Sequence, residues 1–115
     1  MERDHGSSFK RQVAEIRRLN DQFRTTFRGG EILLTANVAS LPDMVKASAL
    51  EKVASFKDFN GENDPREEHG SFDHCDREFW WKIDYWDLTL ESVSRDPADA
   101  AITKRVMTVG PGQDW

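Results

Sequence analysis

Phe9, Val13, Ile16, Leu19 and Phe23 recur at steps of four, three, three and four residues. That spacing lays one apolar stripe along a helix. Ser7 or Ser8 is placed to cap its start. Gly29-Gly30 is placed to end it, after Arg24 and Arg28 bring positive charge to the negative end of the helix dipole. Glu31-Ile32-Leu33-Leu34-Thr35 is short and apolar and predicts a buried strand. Ser40 with Asp43 three residues on forms a capping box in which Asp replaces the usual Glu, with Pro42 tolerated in the first turn. The helix it opens would bury Leu41, Val45, Ala49, Val53 and Phe56.

Asn60-Gly61, Asn63-Asp64-Pro65 and Gly70 give residues 58–70 a loop composition. A short strand is predicted over residues 72–75, turning at Asp76-Arg77 into a stronger one over residues 78–86. Alternation along the latter puts Phe79, Trp81, Ile83 and Tyr85 on one face and Glu78, Trp80, Lys82, Asp84 and Trp86 on the other. Leu88 and Leu90 would extend the sheet. Asp96, Pro97 and Asp99 form a helix start signal, Ile102, Val106 and Val109 a buried stripe, and Gly110-Pro111-Gly112 a stop.

The predicted order is therefore α-β-α-β-β-α. It implies an α+β domain with a small antiparallel sheet of three to four strands packed with three helices on one face. Phe79, Trp81, Ile83 and Tyr85 would pack against Phe23, Val53 and Ile102. One domain spans residues 1–115, with residues 1–7 and 110–115 expected to be flexible.

Composition changes this picture in two ways. Cys75 is the single cysteine, so no intrachain disulfide can form, and no apolar run follows Met1 or spans a bilayer length. A cytoplasmic protein without membrane association is the expectation. The net charge of −5 is unevenly spread: residues 58–76 hold seven acidic side chains against Arg66 alone. Direct nucleic-acid binding, which rests on phosphate neutralisation, is not expected of such a chain.

A resemblance enters on specific residues. They are Leu19-Asn20-Asp21 with Phe23, Leu34-Thr35 with Val38 and Leu41-Pro42, Asn63-Asp64-Pro65, and Glu68-His69. Phe79-Trp80-Trp81-Lys82-Ile83-Asp84-Tyr85, Asp96-Pro97-Ala98-Asp99, and Thr103 with Arg105-Val106 complete the set. Through them the chain resembles bacterial domain-of-unknown-function family 3768. The resemblance implies no activity. It does imply a setting on plasmids and other mobile elements, and hence roles in the contest between such elements and host defence.

Candidate chemistry is sparse. Asp64, Glu67, Glu68, His69, Asp73, His74, Cys75 and Asp76 form the densest group of potential ligands, but their spacing matches no closed zinc site. No metal or cofactor is expected. Cys75 beside His74 lacks an elbow or oxyanion loop, and neighbours on a strand point to opposite faces, so no catalytic residue is assigned. Arg11, Arg17, Arg18 and Arg24 on the first helix are interrupted by Glu15 and Asp21. The favoured reading is a non-enzymatic protein-binding module, in its specific form an anti-defence inhibitor of the anti-CRISPR type. Its partner would be a nucleic-acid-binding defence effector whose basic surface it occludes. Trp80, Lys82, Asp84 and Trp86 would hold that partner, while Glu62, Asp64, Glu67 and Glu68 would attract it. The alternatives are a small metal-dependent hydrolase using Asp64, Glu68 and His69, or a DNA-binding or toxin–antitoxin-type regulator using the basic first helix.

Overall fold

The aromatic run forms the longest strand, and the rest of the chain is arranged around it. A computed structural model describes residues 5–59 and 64–112, except for the side chains of residues 5–7. Its elements are α1 (His5–Thr26), β1 (Gly30–Leu34), α2 (Ala36–Ala39), α3 (Asp43–Ala54), β2 (His69–His74), β3 (Arg77–Trp86) and β4 (Lys104–Pro111). The four strands make one sheet in the order β1-β4-β3-β2, with β1 parallel to β4 and the other two pairings antiparallel. The fold is α+β with a mixed sheet.

The alternation in β3 holds. Phe79, Trp81 and Ile83 are buried on one face, where Trp81 and Ile83 join Phe23 of α1, Val53 of α3 and Met107 and Val109 of β4 in the main core cluster. Phe79 forms a second cluster with Val38 and Ala49, and stacks on Phe72 with ring centroids 5.5 Å apart. Phe56 and Phe59 meet Trp81 edge to face, a geometry that the ring quadrupoles favour. Arg24 is buried beside these rings and donates to the carbonyls of Val53 (2.7 Å) and Ala54 (3.1 Å). It thereby caps the end of α3 and places its charge at that helix's negative pole.

β2 and β3 meet in a tight hairpin. Cys75 and Asp76 lie between the paired His74 and Arg77, and both have positive φ, 53° and 60°. That conformation matches the right-handed twist of the strands it joins.

Three expectations are corrected. The predicted C-terminal helix is absent: Lys104–Pro111 is β4, in the middle of the sheet. Val106 and Val109, three apart, imitate a helical stripe, but in a central strand flanked by β1 and β3 the neighbouring side chains shield residues of both faces, so burial along β4 does not alternate. The β-branched Val106, Thr108 and Val109 favour the strand. Asp96 and Asp99 start successive turns instead of a helix, with Asp99 N–H donating to Asp96 O and Ile102 N–H to Asp99 O. Ile102 is accordingly half-buried and outside the core clusters, and Gly110 and Pro111 belong to β4.

The second correction concerns caps. α1 already includes Ser7 and Ser8, so neither is its cap, and Ser40 closes α2 while Pro42 precedes α3. The third concerns Leu88 and Leu90, which do not extend the sheet but lie exposed in a turn.

Ile83→Ala should lower stability by about 2–5 kcal/mol, because it opens a cavity between the sheet and the helices. Ile102→Ala should cost about 1 kcal/mol or less, since half-buried positions outside a core lose little. Urea unfolding of both variants measures the difference, and equal losses would contradict the strand assignment of residues 104–111.

Candidate functional site

Asn20 occupies a position on α1 that the helical period assigns to the buried stripe, four residues after Ile16 and three before Phe23. It is fully buried. Its amide is satisfied by residues far away in sequence: Oδ1 accepts from Arg105 Nε (2.8 Å), while Nδ2 donates to Tyr85 Oη (2.7 Å) and to Arg66 O (3.0 Å). Tyr85 Oη donates in turn to Glu68 Oε2 (2.9 Å). Burial pushes the Tyr85 hydroxyl well above its ordinary pKa, and the Glu68 carboxylate adds to the shift, so the phenol remains a donor.

Arg105 completes the network from β4. Nη2 donates to Pro97 O (2.6 Å), and its guanidinium carbon lies 5.2 Å from the centre of the Tyr85 ring. Desolvation lowers its pKa, but arginine retains its proton in proteins. The network thus joins α1, β3, β4, the segment before β2 and the turns before β4. The sequence carried one sign of it: Asn20 is a polar residue within the apolar stripe of α1.

The predicted acidic surface is distributed over several roles. Glu62 lies outside the described residues. Asp64 is buried, and its carboxylate accepts from the N–H groups of Glu68 (3.2 Å) and His69 (3.4 Å). His69 Nε2 lies 3.8 Å from Asp64 Oδ2. Glu67 has a positive φ of 53°. Burial, then a hydrogen bond and charge repulsion from Asp21, push its carboxyl up to about 7, against the opposing pull of Arg17 and Arg24.

Glu68, Lys82 and Asp84 are brought together. With Arg66, His69 and Tyr85 they line a cleft of ≈ 390 Å³, and Lys82 Nζ lies 3.4 Å from Asp84 Oδ2. Trp80 is buried and lies against Gly110, where any side chain would collide with the indole. Trp86 is half-buried at the far end of β3. Among the described residues no group of three or more His, Cys, Asp or Glu side chains is placed to hold a metal ion. His74 Nε2 lies 2.6 Å from Ser48 Oγ, whereas Cys75 is exposed in the hairpin turn. On α1, Arg18 pairs with Glu15, Arg17 donates to Pro65 O (3.1 Å), and Arg24 is turned inward.

The helical elements α1, α2 and α3 contribute their core residues to the face of the sheet that carries Trp81, Ile83, Met107 and Val109. The other face carries Leu33, 52% exposed, the Lys82–Asp84 pair and a Lys104–Glu31 pair at 3.2 Å. Beyond Trp86 the chain enters a tight turn. Asp87 Oδ1 accepts from Thr89 Oγ1 (2.9 Å), Glu91 N–H (3.0 Å) and Thr89 N–H (3.2 Å). These bonds, that of the Thr89 hydroxyl foremost, hold the Asp87 carboxyl below its ordinary pKa. The turn closes where Asp87 N–H donates to Ser92 O (2.8 Å) and Trp86 pairs with Val93. It displays Leu88, Leu90 and Val93 at 60, 43 and 72% exposure, with Leu90 at a positive φ of 63°. The sequence reading missed this cluster because it continued the apolar alternation past Trp86.

Comparison with protein-family models matches residues 34–111 to one described as a protein of unknown function, DUF3768. No curated protein and no solved structure matches the chain.

The raised pKa of Glu67 has a definite sign. A carboxyl whose folded pKa exceeds its unfolded value stabilises the fold below about 4.5, and that contribution is lost as pH rises through about 7. Glu67→Gln should therefore flatten the fall in melting temperature between those limits and raise the melting temperature at pH 8. Parallel curves for the two proteins would contradict the pairing of Glu67 with Asp21.

Proposed function

The chain belongs to the DUF3768 family, whose description carries no activity, and we propose from its surface that it is a non-enzymatic protein-binding module. The observation that carries this reading is the turn over residues 87–93. Three large aliphatic side chains stand exposed within six residues, beside the half-buried Trp86. Isolated surface apolar residues are ordinary, but a cluster held on a hydrogen-bonded turn is characteristic of an interaction site. Leu90 adds an independent argument. A residue with a Cβ is disfavoured at positive φ, where glycine fits without strain, and an exposed Leu recovers little of that penalty through burial.

The contact surface in this reading continues from Trp86, Leu88, Leu90 and Val93 onto the Lys82–Asp84 pair. Trp80, buried beside Gly110, supports the sheet instead. The finer form of the reading is an anti-defence inhibitor, of the anti-CRISPR type, that covers a basic groove of a nucleic-acid-binding effector. Its support is the acidic balance of the chain, together with the exposed Asp73, Asp76 and Glu78 on the β2–β3 hairpin. Such charges raise the association rate with a basic partner and leave the apolar contact to set its lifetime.

Affinity capture from the native host with mass spectrometry identifies the partner. With the purified pair, Trp86→Ala or Leu88→Ser should speed dissociation, by about thirtyfold for an anchor worth ~2 kcal/mol. Leu90→Gly should weaken binding while leaving stability within about 1 kcal/mol of the parent. If all three variants fold and dissociate at the parent rate, this surface is not the one used.

A further inference from the structure

Arg105 is 3% exposed, yet among the described residues no carboxylate forms an ion pair with it. Nε bonds the Asn20 amide and Nη2 the Pro97 carbonyl, both neutral acceptors, and no acceptor within the described residues meets Nη1. The charges acting on it from elsewhere are weak ones. Glu15 is solvent-exposed and already held by Arg18 at 2.6 Å, and Tyr85 presents the face of a neutral ring. A buried cation without a counter-ion is costly, and proteins ordinarily pair it.

The same side chain lines a cavity of ≈ 370 Å³ together with Gln22, Arg28, Gly29 and Thr103. Among the described residues no acidic side chain contributes to its wall. Arg28 stands at the cavity with its guanidinium in no ion pair among the described residues. Gly29, at φ +98°, has open space where a side chain would be, and its N–H meets no acceptor among the described residues. Thr103 Oγ1 is already engaged with Ser94 and Asp96, so that residue supplies wall and not a donor. The negative end of α1 is close in sequence to Arg28. Its carbonyls at Asp21 and Gln22 are partly neutralised by bonds from the Thr25 and Thr26 hydroxyls, at 2.7 and 2.6 Å.

We propose that this cavity, between the end of α1 and the turns before β4, binds a small oxyanion, the phosphate or carboxylate group of a small metabolite. Arg105 supplies the desolvated charge from below, Arg28 closes from the mouth, and the Gly29 N–H and the Gln22 amide complete the donor set. A planar guanidinium fixed on two sides by Asn20 and Pro97 is preorganised to present its remaining nitrogen to an oxygen acceptor. The site is separate from the turn over residues 87–93, so it stands or falls independently of the protein-binding reading.

The test is a ¹H–¹⁵N NMR titration of the full chain at constant ionic strength, with inorganic phosphate in one arm and malonate in the other. The expected result is a saturable shift of the Gly29 and Gly30 amides, the Ala100 to Thr103 amides and Arg105 Nε. Saturation by phosphate alone assigns the ligand as a phosphoester, and by malonate alone as a carboxylate. Arg28→Gln, a change at an exposed position, should weaken that binding about tenfold or more, as loss of a charge-assisted bond implies. Arg18→Gln should leave it unchanged. Shifts that rise linearly without saturation in both arms, or that weaken equally in the two variants, would overturn the proposal.

Discussion

The hydrogen bonds of Asn20 hold the architecture together. Apolar contacts such as those of the buried Val13, Ile16 and Phe23 are non-directional and specify the register of α1 on the sheet only loosely. An amide buried at that seam admits far fewer. Its oxygen needs the Arg105 donor from β4, and its nitrogen needs Tyr85 Oη from β3 and the Arg66 carbonyl. Leaving any of these unsatisfied costs about 1–3 kcal/mol per buried polar group, comparable to a large part of a domain's net stability. Apolar contacts supply most of the driving force for folding, and this network sets the register of α1 against the sheet.

Two consequences follow from the same side chains. Tyr85 passes the connection to Glu68, and Asp64 folds the backbone of Glu68 and His69 around itself, so residues 64–69 are tied to the core. Arg105 is held by neutral acceptors, which leaves its charge without an ion-pair partner among the described residues, at the wall of a cavity. A carboxylate in place of Asn20 would neutralise that charge internally. The amide orients the guanidinium and preserves its charge.

The sequence made the face-by-face assignment of β3 legible, because Phe79, Trp81 and Ile83 alternate with polar residues over a long strand. It also revealed α1, α3 and the loop after α3. β4 was illegible for a physical reason: flanking strands shield residues on both sides of a central strand, so no alternation shows, and the spacing of Val106 and Val109 fits a helix equally well. Of the candidate surface, Lys82, Asp84 and Trp86 lie where alternation put them. The burial of Trp80 depends on its contact with Gly110, which only the pairing of β3 with β4 creates. Asn20, Tyr85 and Arg105 are separated by up to 85 positions, so no local pattern could join them.

A double-mutant cycle tests the role of the network most directly. Asn20→Ala, Arg105→Ala and the double variant are unfolded in urea beside the parent protein. If the Asn20–Arg105 bond sets the docking of α1, the two single losses should sum to more than the loss in the double variant, by a coupling of about 1–3 kcal/mol. Losses that add to within about 0.5 kcal/mol would show the two side chains acting independently and would contradict the account.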